Sequence, residues 1–479
     1  MKKIYELISK HTVWFILFAI LILYLVNLFG VTISNDSVTN VDQISSLDII
    51  SRSAHFSFHF FGAFFYLVFS RVVNFSPITA VEIMLSCFSI LGSYSLYLVI
   101  KEKIANERIA LLSLVFYSVS TGIFRFSIQA EYLVLVPSLA LITLALYIKG
   151  KFVFSGIVLA FGLLTSPFVL LFAPAFFVQF EIKWLFKKEN MFFVLAFLGT
   201  YILVSSFTIK ETIQGEWSYR LVFDSYKMLL LKINYIKVAA IWIYGYMRSF
   251  LIILPFVLHG MIKMFKENRR LFFIVIALVL LHLPAAIPES RYGGYQLTVY
   301  PFIALCAAFS LNAIYERYQK TAILLIAMFL LTNIYIVASE RNFNRELRDT
   351  YILLQNDKSI PDSSILFVYQ AIKPIQTVYA PKFKTIGMLS GQQENLAEGL
   401  PGYSKPLYER LVSDYNNLYM IESGTSMPDD NIKLMFSRFV KNQGAKVKGF
   451  GRDKLKPYLG TAKWIRLEKY PLEVYKIEK

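Results

Sequence analysis

HTVWFILFAILILYLVNLFGVTISND, residues 11–36, is the stretch that decides the fold. From Thr12 to Ile33 it carries no charged side chain, and Lys2, Lys3 and Lys10 precede it. An α-helix needs about 20 mostly apolar residues to cross a bilayer. The run is too long for the apolar part of a signal peptide and has no small-residue cleavage site, so it reads as a retained anchor. Polar residues Asn35 and Asp36 follow it directly.

The rest of the chain has the same character. Hydrophobic residues make up 56% of 479 positions and charged residues only 17%, with a mean hydropathy of +0.53. Soluble domains carry about a quarter charged residues. The composition excludes a disordered chain, a coiled coil and an ordinary cytosolic globule. The 43 Phe and 30 Tyr suit lipid-facing and interfacial surfaces. The net charge of +17 suggests nucleic acid in a soluble protein, but no nucleic-acid motif accompanies it. Membrane proteins load cytoplasmic loops with Lys and Arg, so no nucleic-acid partner is expected. Cys87 and Cys306 lie in apolar runs without disulfide or zinc spacing.

Apolar runs lie near 12–33, 79–100, 108–127, 131–149, 152–166, 167–182, 191–209, 238–261, 271–287, 298–315 and 321–339. The pair 152–166 and 167–182 is divided at Thr165-Ser166-Pro167. A further run, 56–75, either spans or lies at the membrane surface. If it does not span and the N-terminus is cytoplasmic, loops 101–108, 149–151, 183–188, 263–270 and 316–320 face inward. All five are short and basic, as the positive-inside rule requires. The preferred reading is therefore about eleven transmembrane helices, with 56–75 as a juxtamembrane helix. The basic loop 210–237 then faces outward against the rule. This topology places the protein in the inner (plasma) membrane with an extracytoplasmic C-terminal region.

Residues 340–479 are different. Ser364–Tyr369, Asn417–Ile421 and Ala445–Phe450 read as strands, with helices near 404–414 and 430–442. Trp464–Leu467 and Leu472–Ile477 read as a closing hairpin. The alternation predicts a small soluble α/β domain. The domain division is thus 1–339 transmembrane and 340–479 extracytoplasmic.

Ionisable groups at membrane depth are costly, so their placement is informative. Several collect on the outer side. Asp36 follows the first helix and either caps the next one or acts in chemistry. Asp42 and Asp48 lie on the amphipathic stretch 40–53. His55 and His59 are four apart and share a helix face if that segment is helical. They read as an interfacial pair, a functional pair or a zinc half-site, with no third ligand at zinc spacing. Arg125 and Glu131 bracket the outer turn 126–131. Glu131 also suits a helix N-terminus. Arg291 and Tyr292 precede a later span, where an arginine also serves as an anchor at the membrane edge.

The order of these features resembles the GT-C membrane glycosyltransferases, in particular polyprenyl-phosphate-sugar users similar to protein O-mannosyltransferases and aminoarabinose transferases. The likeness covers about 30–315. It rests on Asn35-Asp36-Ser37 in the first outer loop, then Ala54-His55-Phe56-Ser57-Phe58-His59-Phe60-Phe61-Gly62 where the family often has a His-Pro-Pro-type motif, here without prolines. Further elements are Leu96–Lys103 ending in basic residues, Phe124–Tyr132 leading to an outer acid, and the turn Leu164-Thr165-Ser166-Pro167. Glu289-Ser290-Arg291-Tyr292 and Tyr300-Pro301-Phe302 close the series.

The resemblance implies a GT-C-like transmembrane domain with juxtamembrane helices. It also implies an inverting transfer of sugar from a polyprenyl-phosphate donor to a glycan, lipid or protein acceptor. Asp36 would be the general base and Glu131 would position the acceptor. His55 and His59 would orient the donor, and Arg291 or Arg125 would bind its phosphate, with Tyr292 beside Arg291. The lone Asp36 and lone Glu131 match the metal-free branch, so no metal and no cofactor is expected. Alternatives are an envelope polysaccharide polymerase or ligase, a lipid-linked sugar transporter or flippase, and a non-catalytic scaffold.

Overall fold

The computed structural model describes residues 2–31, 35–47, 55–172, 188–212, 249–282, 297–362, 364–369, 378–388, 417–422 and 462–478. The chain divides into two compact units. One comprises Met1–Leu28 and Val41–Val337, the other Phe29–Asn40 and Ala338–Lys479.

The first unit is helical. Its order begins α1 (Lys2–Val26), α2 (Asn35–Ser46, shared with the second unit), α3 (Phe56–Val73), α4 (Pro77–Ile104), α5 (Glu107–Val119) and α6 (Thr121–Ser127). It continues with α7 (Leu135–Ile148), α8 (Phe152–Thr165), α9 (Lys188–Thr212), α10 (Leu254–Glu267), α11 (Arg269–His282), α12 (Tyr300–Arg317) and the first half of α13 (Gln319–Asn356). Among the described residues, α3, α4 and α13 are each long and apolar enough to cross a membrane, and α5 with α6 would make a fourth, bent span. Phe56–Val73, read from loop charge as interfacial, therefore meets the length and hydropathy of a span. Of the runs 167–182 and 238–261, only part is described, and 173–182 lies outside the described residues. Pro167–Phe172 is a 3-10 helix, and 238–248 lies outside the described residues.

Local chemistry sets the helix ends. Ser76 Oγ accepts the Thr79 amide at 3.2 Å, and Pro77 opens α4. Ala105 ends α4 in a left-handed conformation, with its N–H on the Lys101 carbonyl. Asn106 Oδ1 then accepts the Ile109 amide at 3.1 Å and starts α5. Lys101 pairs with Glu107 across this two-residue turn, and Lys149 pairs with Glu102.

The apolar run 108–127 is not one straight helix. It breaks at Ser120, which has extended dihedrals, and α6 turns away from α5 by 61°. Ser118 Oγ bonds back to the Leu114 carbonyl and Ser120 Oγ to the Tyr117 carbonyl. Such back-bonding competes with the helical ladder and bends it. Thr121 Oγ1 donates to Asn333 Oδ1 and holds the bend against α13.

Small and hydroxyl residues let the helices pack closely. Tyr24 Oη donates to the Ser118 carbonyl at 2.7 Å, and Ser118 Oγ lies 2.7 Å from Ser93 Oγ, joining α1, α5 and α4. In lipid, where apolar burial does not drive helix association, packing and interhelical hydrogen bonds take over. Gly260 of α10 lies so close to α12 that a Cβ there would collide with the Cys306 carbonyl.

The second unit holds a five-stranded sheet of order β2-β1-β3-β5-β4, with β1 Ile365–Tyr369, β2 Lys384–Met388, β3 Leu418–Glu422, β4 Lys463–Leu467 and β5 Glu473–Glu478. β1 runs parallel to β2 and β3, while β5 runs antiparallel to β3 and β4. The strands expected at 364–369 and 417–421 and the closing hairpin are present. β2 is an additional strand, masked in the sequence by its Lys and Gly. The expected strand 445–450 and helices 404–414 and 430–442 lie outside the described residues.

The helix expected to stop at 339 continues to Asn356. Its later half buries Leu347, Tyr351 and Leu354 against Leu366, Tyr419, Ile421 and Val474. The spacing of these three is that of one helix face. Their polar neighbours hid the continuation from a hydropathy reading.

At the start of this core, Asp357 follows α13 and receives bonds from several directions. Lys469 forms an ion pair with its carboxylate, Tyr470 Oη donates at 2.6 Å, and Ser359 donates from both Oγ and N–H. Burial opposes its ionisation, yet the partners together hold the carboxyl well below the usual carboxylate range.

Candidate active site

His55 precedes α3 rather than lying on it. Its backbone is left-handed, φ 68° and ψ 34°, a conformation uncommon outside glycine. It therefore does not share a helix face with His59 in the expected way, although the His59 amide still bonds the His55 carbonyl at 3.3 Å. Two tertiary contacts hold it. Its ring stacks on Tyr132 with centroids 3.5 Å apart, and Nδ1 lies 2.7 Å from the Thr165 carbonyl. A carbonyl only accepts, so Nδ1 carries the proton and Nε2 is the acceptor in the neutral ring.

These contacts join three elements. α8 ends at Thr165, where Ser166 turns extended before the 3-10 helix Pro167–Phe172, as the Thr-Ser-Pro break predicts. Ser57 Oγ donates to the Phe161 carbonyl at 2.6 Å, seating the start of α3 on the end of α8. Tyr132 begins the short 3-10 helix that leads into α7. His59 is buried one turn further along α3, its ring edge against Phe58.

The turn between α6 and α7 is enclosed by the protein. Phe126, Ser127, Ile128, Gln129 and Ala130 are all buried, as are Arg125 and Glu131 themselves, 7% and 8% exposed. Arg125 Nε donates to Gln129 Oε1 at 3.1 Å, and the Glu131 amide bonds the Gln129 carbonyl at 2.6 Å. Ser86 of α4 donates to the Ser127 carbonyl at 2.9 Å and fixes the turn from beneath. Two ionisable side chains are thus withdrawn from bulk water at one end of the bundle. Such groups are expensive to bury and mark functional positions.

Glu82, one helical turn before Ser86 on α4, is fully buried. It lies inside an otherwise apolar run, where hydropathy alone does not single it out. A signal was present, since Glu82 is the sole charged residue between Pro77 and Ile100.

The structure brings His55, Tyr132 and the 125–131 turn together, with His59 one turn away. Asp36 lies in the first turn of α2, but its side chain is outside the described residues. Arg291 and Tyr292 are outside them as well. Tyr300-Pro301 opens α12 as expected of a proline-led helix, with Tyr300 Oη 2.6 Å from Ser249 Oγ. An imidazole held at Nδ1, a buried guanidinium and buried carboxylates supply the groups needed to orient a phosphate and a hydroxyl.

Neither a family model nor a curated protein matches the chain by sequence. Solved structures do match by shape. The chain is similar to ArnT from Cupriavidus metallidurans bound to undecaprenyl phosphate, with a TM-score of 0.54 and 11% identity over 97% of this chain and 98% of that one. The apo state of the same protein gives 0.53 and 10% identity over 98% of both chains. The archaeal oligosaccharyltransferase AglB from Archaeoglobus fulgidus, in complex with an inhibitory peptide and a dolichol-phosphate, gives 0.51 and 11% identity over 86% of this chain and 70% of that one. Over nearly its whole length, then, this chain shares the fold of ArnT.

Proposed function

We propose that the protein is an inverting glycosyltransferase that moves a sugar from a polyprenyl-phosphate donor to an acceptor hydroxyl or amine at the extracytoplasmic membrane face. The observation that carries this reading is the seating of His55 between Tyr132 and the Thr165 carbonyl, beside a turn that buries Arg125 and Glu131. It occurs in a fold shared with ArnT, which was solved with undecaprenyl phosphate.

In this mechanism Asp36 takes the acceptor proton as the acceptor oxygen or nitrogen attacks the anomeric carbon. The bond from that carbon to the phosphate oxygen breaks, and polyprenyl phosphate leaves. Glu131 positions the acceptor, and His55 and His59 orient the donor. Arg291, with Tyr292 beside it, binds the leaving phosphate, and Arg125 is the second cation for that task. A guanidinium suits a phosphate because its planar fork bonds two oxygens at once. Residues 1–339 form the catalytic membrane domain and 340–479 an extracytoplasmic α/β domain, with the N-terminus in the cytosol. The basic loops 101–108, 149–151 and 263–270 support this orientation.

The test is transfer from a labelled polyprenyl-phosphate sugar by the full-length protein in membranes. Label appearing in a glycan, lipid or protein fraction supports the proposal. Movement of the intact labelled lipid between leaflets, with no transfer, would replace it with a flippase. Extension of a lipid-linked glycan chain would replace it with a polymerase.

A further inference from the structure

Toward the basic end of the helical unit, α4, α7, α11 and α12 leave a narrow cleft between them. Leu96 and Ile100 of α4, Leu144 of α7, Leu271 of α11 and Phe302 of α12 line it, and Lys103 is the one charged residue in the lining. Leu96, Ile100 and Lys103 occupy one face of α4, so the cleft follows that helix for about 10 Å, at about 1.5 Å per residue. An apolar slot ending at a cation fits a long hydrocarbon with an anionic head. A sugar would find nothing to bond along the walls.

The neighbouring charges narrow the choice of occupant. Lys101 is paired with Glu107 and Lys149 with Glu102. Among the described residues Lys103 forms no hydrogen bond or ion pair. Lys103 stands where the apolar lining ends, next in sequence to Glu102, whose carboxylate is taken by Lys149. A phosphate at this point would give the Lys103 ammonium a partner. By loop charge this end faces the cytosolic leaflet, which is the anionic one.

We propose that this cleft holds an acyl chain of an anionic phospholipid, with its phosphate on Lys103. The site is separate from the candidate active site, and its test does not depend on sugar transfer.

The experiment incubates detergent-purified full-length protein with equal amounts of phosphatidylglycerol and phosphatidylcholine, re-isolates it, and quantifies the retained lipid. Phosphatidylglycerol is expected to be retained in preference. Lys103→Gln, at an exposed side chain, should lower its retention about fivefold, the factor for one Lys acting on an anionic lipid. Leu144→Trp fills the slot and should lower retention while leaving the cation in place. Lys320→Gln, basic but off the cleft, should change nothing. Equal retention of the two lipids would overturn the proposal, as would no effect of Lys103→Gln or the same loss with Lys320→Gln. Displacement by glycerol phosphate would show a headgroup site without a tail slot. Preferential retention of polyprenyl phosphate would show a donor site. Either result would also overturn it.

Discussion

His55 and Tyr132 lie almost face to face, ring centroids 3.5 Å apart and planes 20° from parallel, although 77 positions separate them in the chain. This contact fixes an imidazole at the start of α3 against the entry to α7. It also places His55 against Tyr132, the residue directly after Glu131. If His55 orients the donor, the ring of Tyr132 sets its angle. Tyr132→Leu should then lower kcat/KM for transfer about tenfold, the scale of one lost aromatic pair. Tyr132→Phe should keep most of the activity because stacking survives. Equal loss in both variants would mean that the hydroxyl, and not the ring, matters.

Asp36→Asn removes the proposed base while keeping size and shape. Transfer should fall by about 10²–10⁴-fold, the usual contribution of a general base, with expression and thermal stability unchanged. Full activity would remove Asp36 from the mechanism. Arg291→Ala should raise the donor KM and leave the acceptor KM nearly constant, and unchanged donor kinetics would refute its phosphate role.

Gly260 permits α10 to approach the backbone of α12. Gly260→Val should destabilise the detergent-solubilised protein by about 1–3 kcal/mol, the cost of overpacking, seen as a lower unfolding temperature. Cys306→Ala should not rescue it, because the collision is with a carbonyl and not a side chain. Rescue would place the contact elsewhere.

Asp357 links stability to pH. Its carboxyl titrates lower in the folded protein than in the unfolded chain, where an aspartate titrates near pH 4. Its contribution is therefore complete above about pH 4 and is lost as pH falls toward the folded value. Asp357→Asn should lower amide-exchange protection of the β4–β5 hairpin by about 2 kcal/mol at neutral pH. The difference from wild type should vanish in strong acid. A constant difference at every pH would assign the effect to packing alone.

Local patterns made part of this molecule legible. The break at Thr165-Ser166-Pro167 was readable because proline restricts the residue before it and cannot continue a hydrogen-bonded helix. Strands β1, β3, β4 and β5 stood out as apolar or alternating runs. β2 did not, because its side chains are ordinary for a loop and its place comes from pairing with β1. Among the candidate site residues, residue type was visible in sequence, but burial was not. Arg125 and Glu131 bracket a short link between two apolar runs, and only packing decides whether such a link is enclosed.

By itself the sequence determined that this chain is a membrane protein, which end of each apolar run is basic, and where several helices and strands begin and end. These properties depend on a residue and its near neighbours, through hydropathy, charge, caps and turn chemistry. Only the tertiary structure decided that the run 108–127 bends at Ser120, that the turn after it is enclosed, that His55 stacks on Tyr132, and that α13 carries on to Asn356. Each of those depends on partners far away in the chain, because burial and the choice of hydrogen-bond partner are set when the helices and strands pack.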